Sequence, residues 1–481
     1  MAGLFGITVN SDETGTREFI QEILFWGTKY NAHLGGDYYG WSYLDKSGSI
    51  FSKIETTFTE ANFQIPGSCA YNSISYCGST KEPFYVKNSK LGAFILCFNG
   101  NILNSQEIME DFYGKDHILE TFDDIELIAK LIVEGTGFVD GIQKMSQIVG
   151  GAFSLVVLSK EGIYAVRCSN GCWPLIIGKH KKRESIIVSS ECVGFFNMGF
   201  DIIRNVEPGE IIKLDRGSFS QAGILDEQKK EICSFYPVYT SSPGAIVCNL
   251  PAAEVRKKLG ACLARRDIRN GIMPHLVIPV PDSGRFHAIG YHQEYLRQLI
   301  AGKINKVPFY DEPLIKYVFT RSFLGKNKKE REKRAHYKIV ITGENLGHFI
   351  QTLEKADLDF MVKDIKDNKR IIIVICDDSV VRGVQVKSNL VPKVKYIFEK
   401  MEIKAEIHIR ASYPEIISYC PYGTTTKRGE ILTESHPEIS DREKYLGVDS
   451  LKYNTIDDLI KVLGIPKNDI CTKCVEKSLA V

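Results

Sequence analysis

Residues 371–385 read IIIVICDDSVVRGVQ. An apolar run ends in two adjacent carboxylates, Asp377 and Asp378, and passes through Ser379, Arg382 and Gly383 into a helix-like pattern. Two acids at the end of a buried strand are costly unless they face a polar ligand or a cation. The first N–H groups of a following helix suit a phosphate. The other reading is a strand-end turn whose acids are solvated. A second strand-end turn, PDSG at 281–284 with Asp282 and Ser283, follows the apolar run LVIPV. In a parallel sheet, ligands bind beyond the carboxyl ends of the strands, which would bring the two turns to one crevice.

The cysteines form the other group capable of chemistry. The chain has 13. With no sign of an oxidising compartment they do not imply a disulfide framework, and a free cysteine is by default a small core residue. Cys471 and Cys474 form a C-x-x-C pair, a spacing shared by zinc sites, redox pairs and clusters. The basic segment 325–338, GKNKKEREKRAHYK, reads either as a solvated face or as a lid over a polyanionic substrate.

The elements that would position these groups fall into two kinds. Up to residue 230, short apolar runs recur between turn signals, at 91–101, 152–159 and 185–190. Helical periodicity appears at 17–29 and 123–135. This predicts a mixed domain of helices and mostly antiparallel sheet. From about 245 the pattern alternates. Helices are expected at 252–267, at 285–302 and after residue 384, with strands at 275–280, 370–377 and 404–412. Alternation of that kind predicts a parallel sheet covered on both faces.

A length of 481 residues suggests two or three domains. The chain has 61 basic and 59 acidic residues, net +2, which leaves no electrostatic footprint for nucleic acid or an anionic membrane. The opening MAGLFGITVNSDE is not a signal peptide, and the longest apolar runs are strand-sized. A cytoplasmic protein is expected.

The string at 371–385 resembles the type I phosphoribosyltransferase signature. That resemblance implies that Asp377 and Asp378 hold the ribose hydroxyls of phosphoribosyl pyrophosphate (PRPP), directly or through Mg²⁺. It places residues 379–385 around the 5′-phosphate and the PDSG loop at pyrophosphate, with Ser283 near the metal. YVFTRSF at 317–323 resembles the loop that closes over PRPP, where Arg321 could bond a pyrophosphate oxygen. From residue 3 to about 475 the chain resembles the glutamine PRPP amidotransferase family. Matching stretches include FNGN at 98–101, VEPGE at 206–210, CSFYPVYTSSP at 233–243, CDDSVVRG at 376–383 and YLGVDSL at 445–451.

The resemblance implies an N-terminal Ntn-hydrolase (class II glutamine amidotransferase-like) αββα domain over 1–230. A type I phosphoribosyltransferase parallel-sheet domain would cover 231–450, with a C-terminal tail over 451–481. The fold class is thus α/β and α+β. In the family, ammonia released from glutamine displaces pyrophosphate from PRPP to give 5-phosphoribosylamine, the first step of purine synthesis. Asn99 and Gly100 would form an oxyanion hole, and Asp124 would hold the substrate amine. Cys233, Cys420, Cys471 and Cys474 fall where one branch of the family binds a [4Fe–4S] cluster, and four thiolates are the usual ligand set. Purine nucleotides as regulators and a homo-oligomer are expected by resemblance alone.

The chain also departs from the family. Ala2 stands where the glutaminase carries its nucleophilic cysteine, so no catalytic residue is assigned there. Ala70 and Leu34 replace two arginines of that pocket, and Val384 and Gln385 replace the two threonines of the phosphate loop. Their loss leaves the backbone N–H groups and Ser379 to meet the phosphate. Two functions follow: transfer of ammonia or another amine to PRPP without glutamine hydrolysis, or a non-catalytic scaffold or regulatory relative.

Overall fold

The computed structural model of the chain describes residues 1–10, 15–65, 69–115, 118–247, 249–317, 339–342, 346–356, 358–423 and 429–476. Arg321 and the basic segment 325–338 lie outside the described residues, as does the side chain of Ala70.

The first body is built on two sheets. Their elements, in chain order, are β1 (Gly3–Val9), α1 (Thr16–Asn31), β2 (Tyr38–Asp45), β3 (Ile50–Glu55), β4 (Cys69–Gly78), β5 (Phe84–Val86) and β6 (Phe94–Ile102). Three helices follow: α2 (Ser105–Gly114), α3 (Asp124–Val133) and α4 (Phe138–Ile148). Seven strands complete the pair: β7 (Gly151–Ser159), β8 (Gly162–Arg167), β9 (Ile176–His180), β10 (Ser185–Ser189), β11 (Phe200–Asn205), β12 (Glu210–Asp215) and β13 (Ser218–Ile224). One sheet has the order β11-β9-β10-β1-β4-β2-β3 and the other β13-β12-β8-β7-β6-β5, with every pairing antiparallel.

Leu4, Ile74, Ile95, Val156, Ile163 and Ile212 meet between the sheets in one core. Helix α1 packs on the outer face of the first sheet through Ile20, Leu24 and Phe25. Helices α2 to α4 pack on the outer face of the second through Ile108, Ile128 and Ile142. The result is helix, sheet, sheet, helix. The acidic start of α3 at Asp123 and Asp124, with Lys130 in its last turn, matches the helix dipole.

The second body is a five-stranded parallel sheet. It begins after β14 (Ile232–Cys233), β15 (Ile246–Val247), β16 (Leu250–Pro251) and α5 (Ala252–Arg269). Then come β17 (Leu276–Pro279), α6 (Arg285–Ile300), β18 (Phe309–Tyr310), β19 (Leu314–Lys316), β20 (Ile339–Ile341), α7 (Phe349–Lys355), α8 (Asp359–Asn368) and β21 (Arg370–Asp377). The chain closes with α9 (Val391–Glu399), β22 (Lys404–Ala411), α10 (Leu432–Ser435), α11 (Ile439–Leu446), β23 (Ser450–Tyr453), α12 (Ile456–Leu463) and β24 (Ile470–Cys471). The sheet order is β18-β17-β21-β22-β23.

β21 is central and buried along most of its length, as its unbroken run of isoleucine and valine requires of a strand covered on both faces. Helices α7 to α9 cover one face through Phe349, Ile365 and Phe398. Helices α5 and α6 cover the other through Leu263, Tyr291 and Tyr295. On the α5/α6 face, Arg410 of β22 is fully buried and donates from Nε to Asp267 Oδ2 at 2.5 Å. Asp267 also accepts from the Tyr291 hydroxyl at 2.6 Å.

The tail returns to the junction of the two bodies. β24 pairs in parallel with β14, setting Cys471 opposite Cys233. The Ser234 hydroxyl donates to Cys471 O at 2.7 Å, and Asn101 Nδ2 of β6 donates to Pro421 O at 2.9 Å. Among the described residues no helix is long and apolar enough to cross a membrane.

Candidate active site

The carboxyl ends of β17 and β21 open into a cavity of about 550 Å³. Asp377 ends β21 and Asp378 follows it, only 9% and 3% exposed. Both line the cavity, as does Ser283 from the turn after β17. The loop 379–385 forms a further wall. The two strand-end motifs therefore meet in one crevice, as the alternation of strands and helices predicts. Asp282 is not on that wall. It accepts from Lys316 Nζ at 3.1 Å and lies 3.7 Å from Arg285.

The loop is held from within. The Asp378 N–H donates to Asp377 Oδ1 at 2.9 Å, and the Ser379 hydroxyl donates to Asp378 Oδ1 at 2.6 Å. Arg382 donates through Nε and Nη2 to Glu430 Oε2, at 3.0 and 2.7 Å. Gly383 has φ of +67°, a left-handed conformation that favours glycine, and it turns the chain into the helical turn at Val386–Leu390. The Ser379 hydroxyl, expected to meet a phosphate, is thus bonded to a carboxylate, and Arg382 is bonded to Glu430. Sequence spacing carries no signal for Glu430, which lies 48 residues away.

The expected oxyanion-hole residues stand together at the end of β6, apart from the cavity wall. Ala2, 3% exposed, donates its N–H to Asn99 Oδ1 at 2.8 Å. A side chain at Gly100 would lie 2.3 Å from Ala152 O, so only glycine fits against β7. Asp124 Oδ2 accepts from the Ile102 N–H at 3.0 Å, and burial raises its carboxyl above the ordinary range. Leu34, at one of the lost arginine positions, is buried in the core at 3% exposure. Behind this group lies Glu82, a buried carboxyl that no motif pointed to. Met1 reaches the large cavity, so one continuous space extends from the chain start to Asp377 and Asp378.

The same cavity gathers the cysteines. Cys233, Cys420, Cys471 and Cys474 line it, together with Cys172 from the first body. Cys172 has no spacing relationship to the other four, and only the packing of the two bodies brings it there. Burial pushes the Cys420 thiol up to about 11 and the Cys471 thiol up to about 12, whereas a hydrogen bond with Cys172 lowers that of Cys233. The Tyr413 hydroxyl lies 2.7 Å from Ser234 Oγ and 3.3 Å from Cys474 Sγ. Among the described residues no group of three or more His, Cys, Asp or Glu is arranged to hold a metal ion. In donor type, the four thiols suit an iron–sulfur cluster or zinc, and the two carboxylates suit Mg²⁺.

Comparison with known proteins agrees with this layout. Residues 73–197 match a glutamine amidotransferase domain family. An amidophosphoribosyltransferase of Methanothermobacter thermautotrophicus is 30% identical over 400 residues, covering 82% of this chain and 75% of that one. One of Methanocaldococcus jannaschii is 28% identical over 414 residues, covering 82% and 78%. Among solved structures, the glutamine PRPP amidotransferase of B. subtilis complexed with ADP and GMP superimposes with a TM-score of 0.77 at 22% identity, covering 98% of this chain and 95% of that one. The fold is therefore the Ntn-type amidotransferase body followed by a phosphoribosyltransferase sheet.

Proposed function

The chain belongs to the amidophosphoribosyltransferase family, and we propose that it performs the transferase half of that family's reaction, taking ammonia or another amine rather than the amide of glutamine. The reaction would be the first step of purine synthesis. The observation that carries this reading is the convergence of Asp377, Asp378, Ser283 and the loop 379–385 on one cavity. In this reading residues 1–230 are the amidotransferase-like domain, 231–450 the phosphoribosyltransferase domain, and 451–481 the tail.

The two carboxylates hold the ribose hydroxyls and stabilise positive charge growing on the ribose ring as the bond from C1 to pyrophosphate breaks. The amine nitrogen forms the new bond to C1 and loses a proton, and pyrophosphate leaves with the bonding pair. Ser283 and the turn around it orient the leaving group. Asp377, Asp378 and Ser283 would hold Mg²⁺, which would supply charge neutralisation on the pyrophosphate.

Glutamine hydrolysis is lost in this reading. Ala2 has neither thiol nor hydroxyl. Removing a nucleophile costs on the order of 10⁶-fold in turnover. Cys233, Cys420, Cys471 and Cys474 would hold a [4Fe–4S] cluster, which would staple the tail to the junction in a structural role. Purine nucleotides regulate the enzyme, and it works as a cytoplasmic homo-oligomer.

A second reading is a scaffold or regulatory relative without turnover. It is favoured by the commitment of Arg382 to Glu430 and by the apolar Val384 in the phosphate loop. PRPP consumption with an ammonium salt, compared with an Asp378→Asn variant, separates the two. Consumption that disappears in the variant supports the transferase. No consumption by either protein at saturating PRPP supports the scaffold.

A further inference from the structure

We propose that a pocket at the carboxyl ends of α5 and α6 is a further ligand site, built for a small anion with two or more phosphate groups. It shares no lining residue with the cavity of Asp377 and Asp378, so it stands apart from the phosphoribosyl reading.

The pocket encloses about 380 Å³. Arg265, Arg266 and Arg269 reach it from the last turns of α5. Gln298 reaches it from the last turn of α6 and Lys303 from the turn that follows. Asp458 comes from the start of α12. Four cations thus surround a space that holds a single carboxylate.

Part of that charge is already matched. Arg266 is ion-paired with Asp458 and donates from Nη1 to Tyr453 O at 2.9 Å. Arg265 donates to Glu294 Oε2 at 3.1 Å, but Glu294 is shared with Arg297, which lies outside the pocket. The carboxyl ends of α5 and α6 together offset about one more positive charge. Arg269 is engaged only through Nε, on Arg265 O at 3.3 Å. Its two terminal nitrogens and Lys303 Nζ have no partner among the described residues. Both side chains are exposed, so a solute reaches them. Burial, and then the charges of Arg269 and Arg265, lower the Arg266 pKa from its ordinary value, so the cations are felt inside the pocket.

The donors left over choose the ligand. The planar fork of an arginine meets a phosphate through two bonds, and a lysine adds a point charge for a second group. No aromatic ring lines the pocket, so a nucleobase finds no surface to stack on. What the pocket offers is charge, and a short polyphosphate uses all of it.

The test uses the full-length protein in Mg²⁺-free buffer, where Asp377 and Asp378 repel pyrophosphate from the other cavity. Pyrophosphate is titrated by calorimetry into the unaltered protein and into two double variants. One is Arg269→Gln with Lys303→Gln. The other, Lys229→Gln with Lys230→Gln, removes the same charge at exposed positions outside the pocket. The unaltered protein and the second variant should bind a single pyrophosphate per chain with equal affinity, weakening as salt is raised. The first variant should bind roughly 100-fold more weakly, as the loss of hydrogen bonds between charged partners predicts. No binding by the unaltered protein overturns the proposal, and so does undiminished binding by the first variant. Equal losses in both variants overturn it too, because net charge alone then explains the binding. A chain that fails to consume PRPP but shows this pattern loses the transferase reading and keeps this site.

Discussion

Glu82 gives the sharpest physical test of how the first body is packed. It is 2% exposed. Its Oε2 accepts from the Phe98 N–H at 2.7 Å, and its Oε1 accepts from the Thr80 hydroxyl at 2.7 Å. Burial pushes its carboxyl up to about 8 from an ordinary 4.5, against the opposing pull of those two hydrogen bonds.

A folded value above the unfolded one means that the folded chain holds the proton more tightly. The stabilisation is therefore complete below pH 4.5, falls by about 1.4 kcal/mol per pH unit between 4.5 and 8, and is gone above 8. The whole swing is about 5 kcal/mol. Glu82→Gln removes the titration and keeps the shape. Its amide oxygen can accept from the Phe98 N–H while its amide nitrogen donates to Thr80 Oγ1.

Urea unfolding of both proteins between pH 4.5 and 9, at fixed ionic strength, measures the swing. The chain's 3 tryptophans, Trp26, Trp41 and Trp173, all lie in the first body, Trp173 at the junction cavity, so their fluorescence reports that body and its contact with the second. The two proteins should match within about 1 kcal/mol at pH 4.5, and the variant should gain about 4–5 kcal/mol by pH 9. A difference that stays constant with pH would refute the argument, because Glu82 would then carry the same proton count folded and unfolded.

Other outcomes follow from the same geometry. Asp267→Asn leaves the fully buried Arg410 without its carboxylate and should destabilise the second body by roughly 3–5 kcal/mol, read by denaturant unfolding. Ala2→Cys should not give glutamine hydrolysis, because Ala70 and Leu34 remain; glutamate release over many turnovers would contradict this. Anaerobically purified protein should contain iron and sulfide in equal amounts with a broad visible absorbance, both lost in Cys474→Ser; stoichiometric zinc instead would remove the cluster reading.

Much of this architecture is legible in the amino-acid order. The apolar run before Asp377 reads as a strand covered on both faces, and the acids at its end as facing a polar ligand, a cation or solvent. The alternation around it makes the sheet parallel and brings PDSG beside CDDS. These features depend on local periodicity, which acts over a few residues. That position 2 carries an alanine and no thiol is equally plain without any structure.

What only the tertiary structure decided is which polar groups are already taken. Ser379 and Arg382 look free for a phosphate in the sequence, yet one is bonded to Asp378 and the other to Glu430, far along the chain. Gln385 and Trp173 both border the cavity, and the Gln385 amide and the Trp173 Nε1 are buried with no partner among the described residues. Cys172 joins the other thiols because two separate bodies pack together, and Glu82 is perturbed because β6 and its neighbours close over it. Hydrogen-bond commitment and desolvation are set by contacts between distant segments, and no local pattern encodes them. The strand-end acids could be read from sequence, but what the site around them has left to offer a ligand could not.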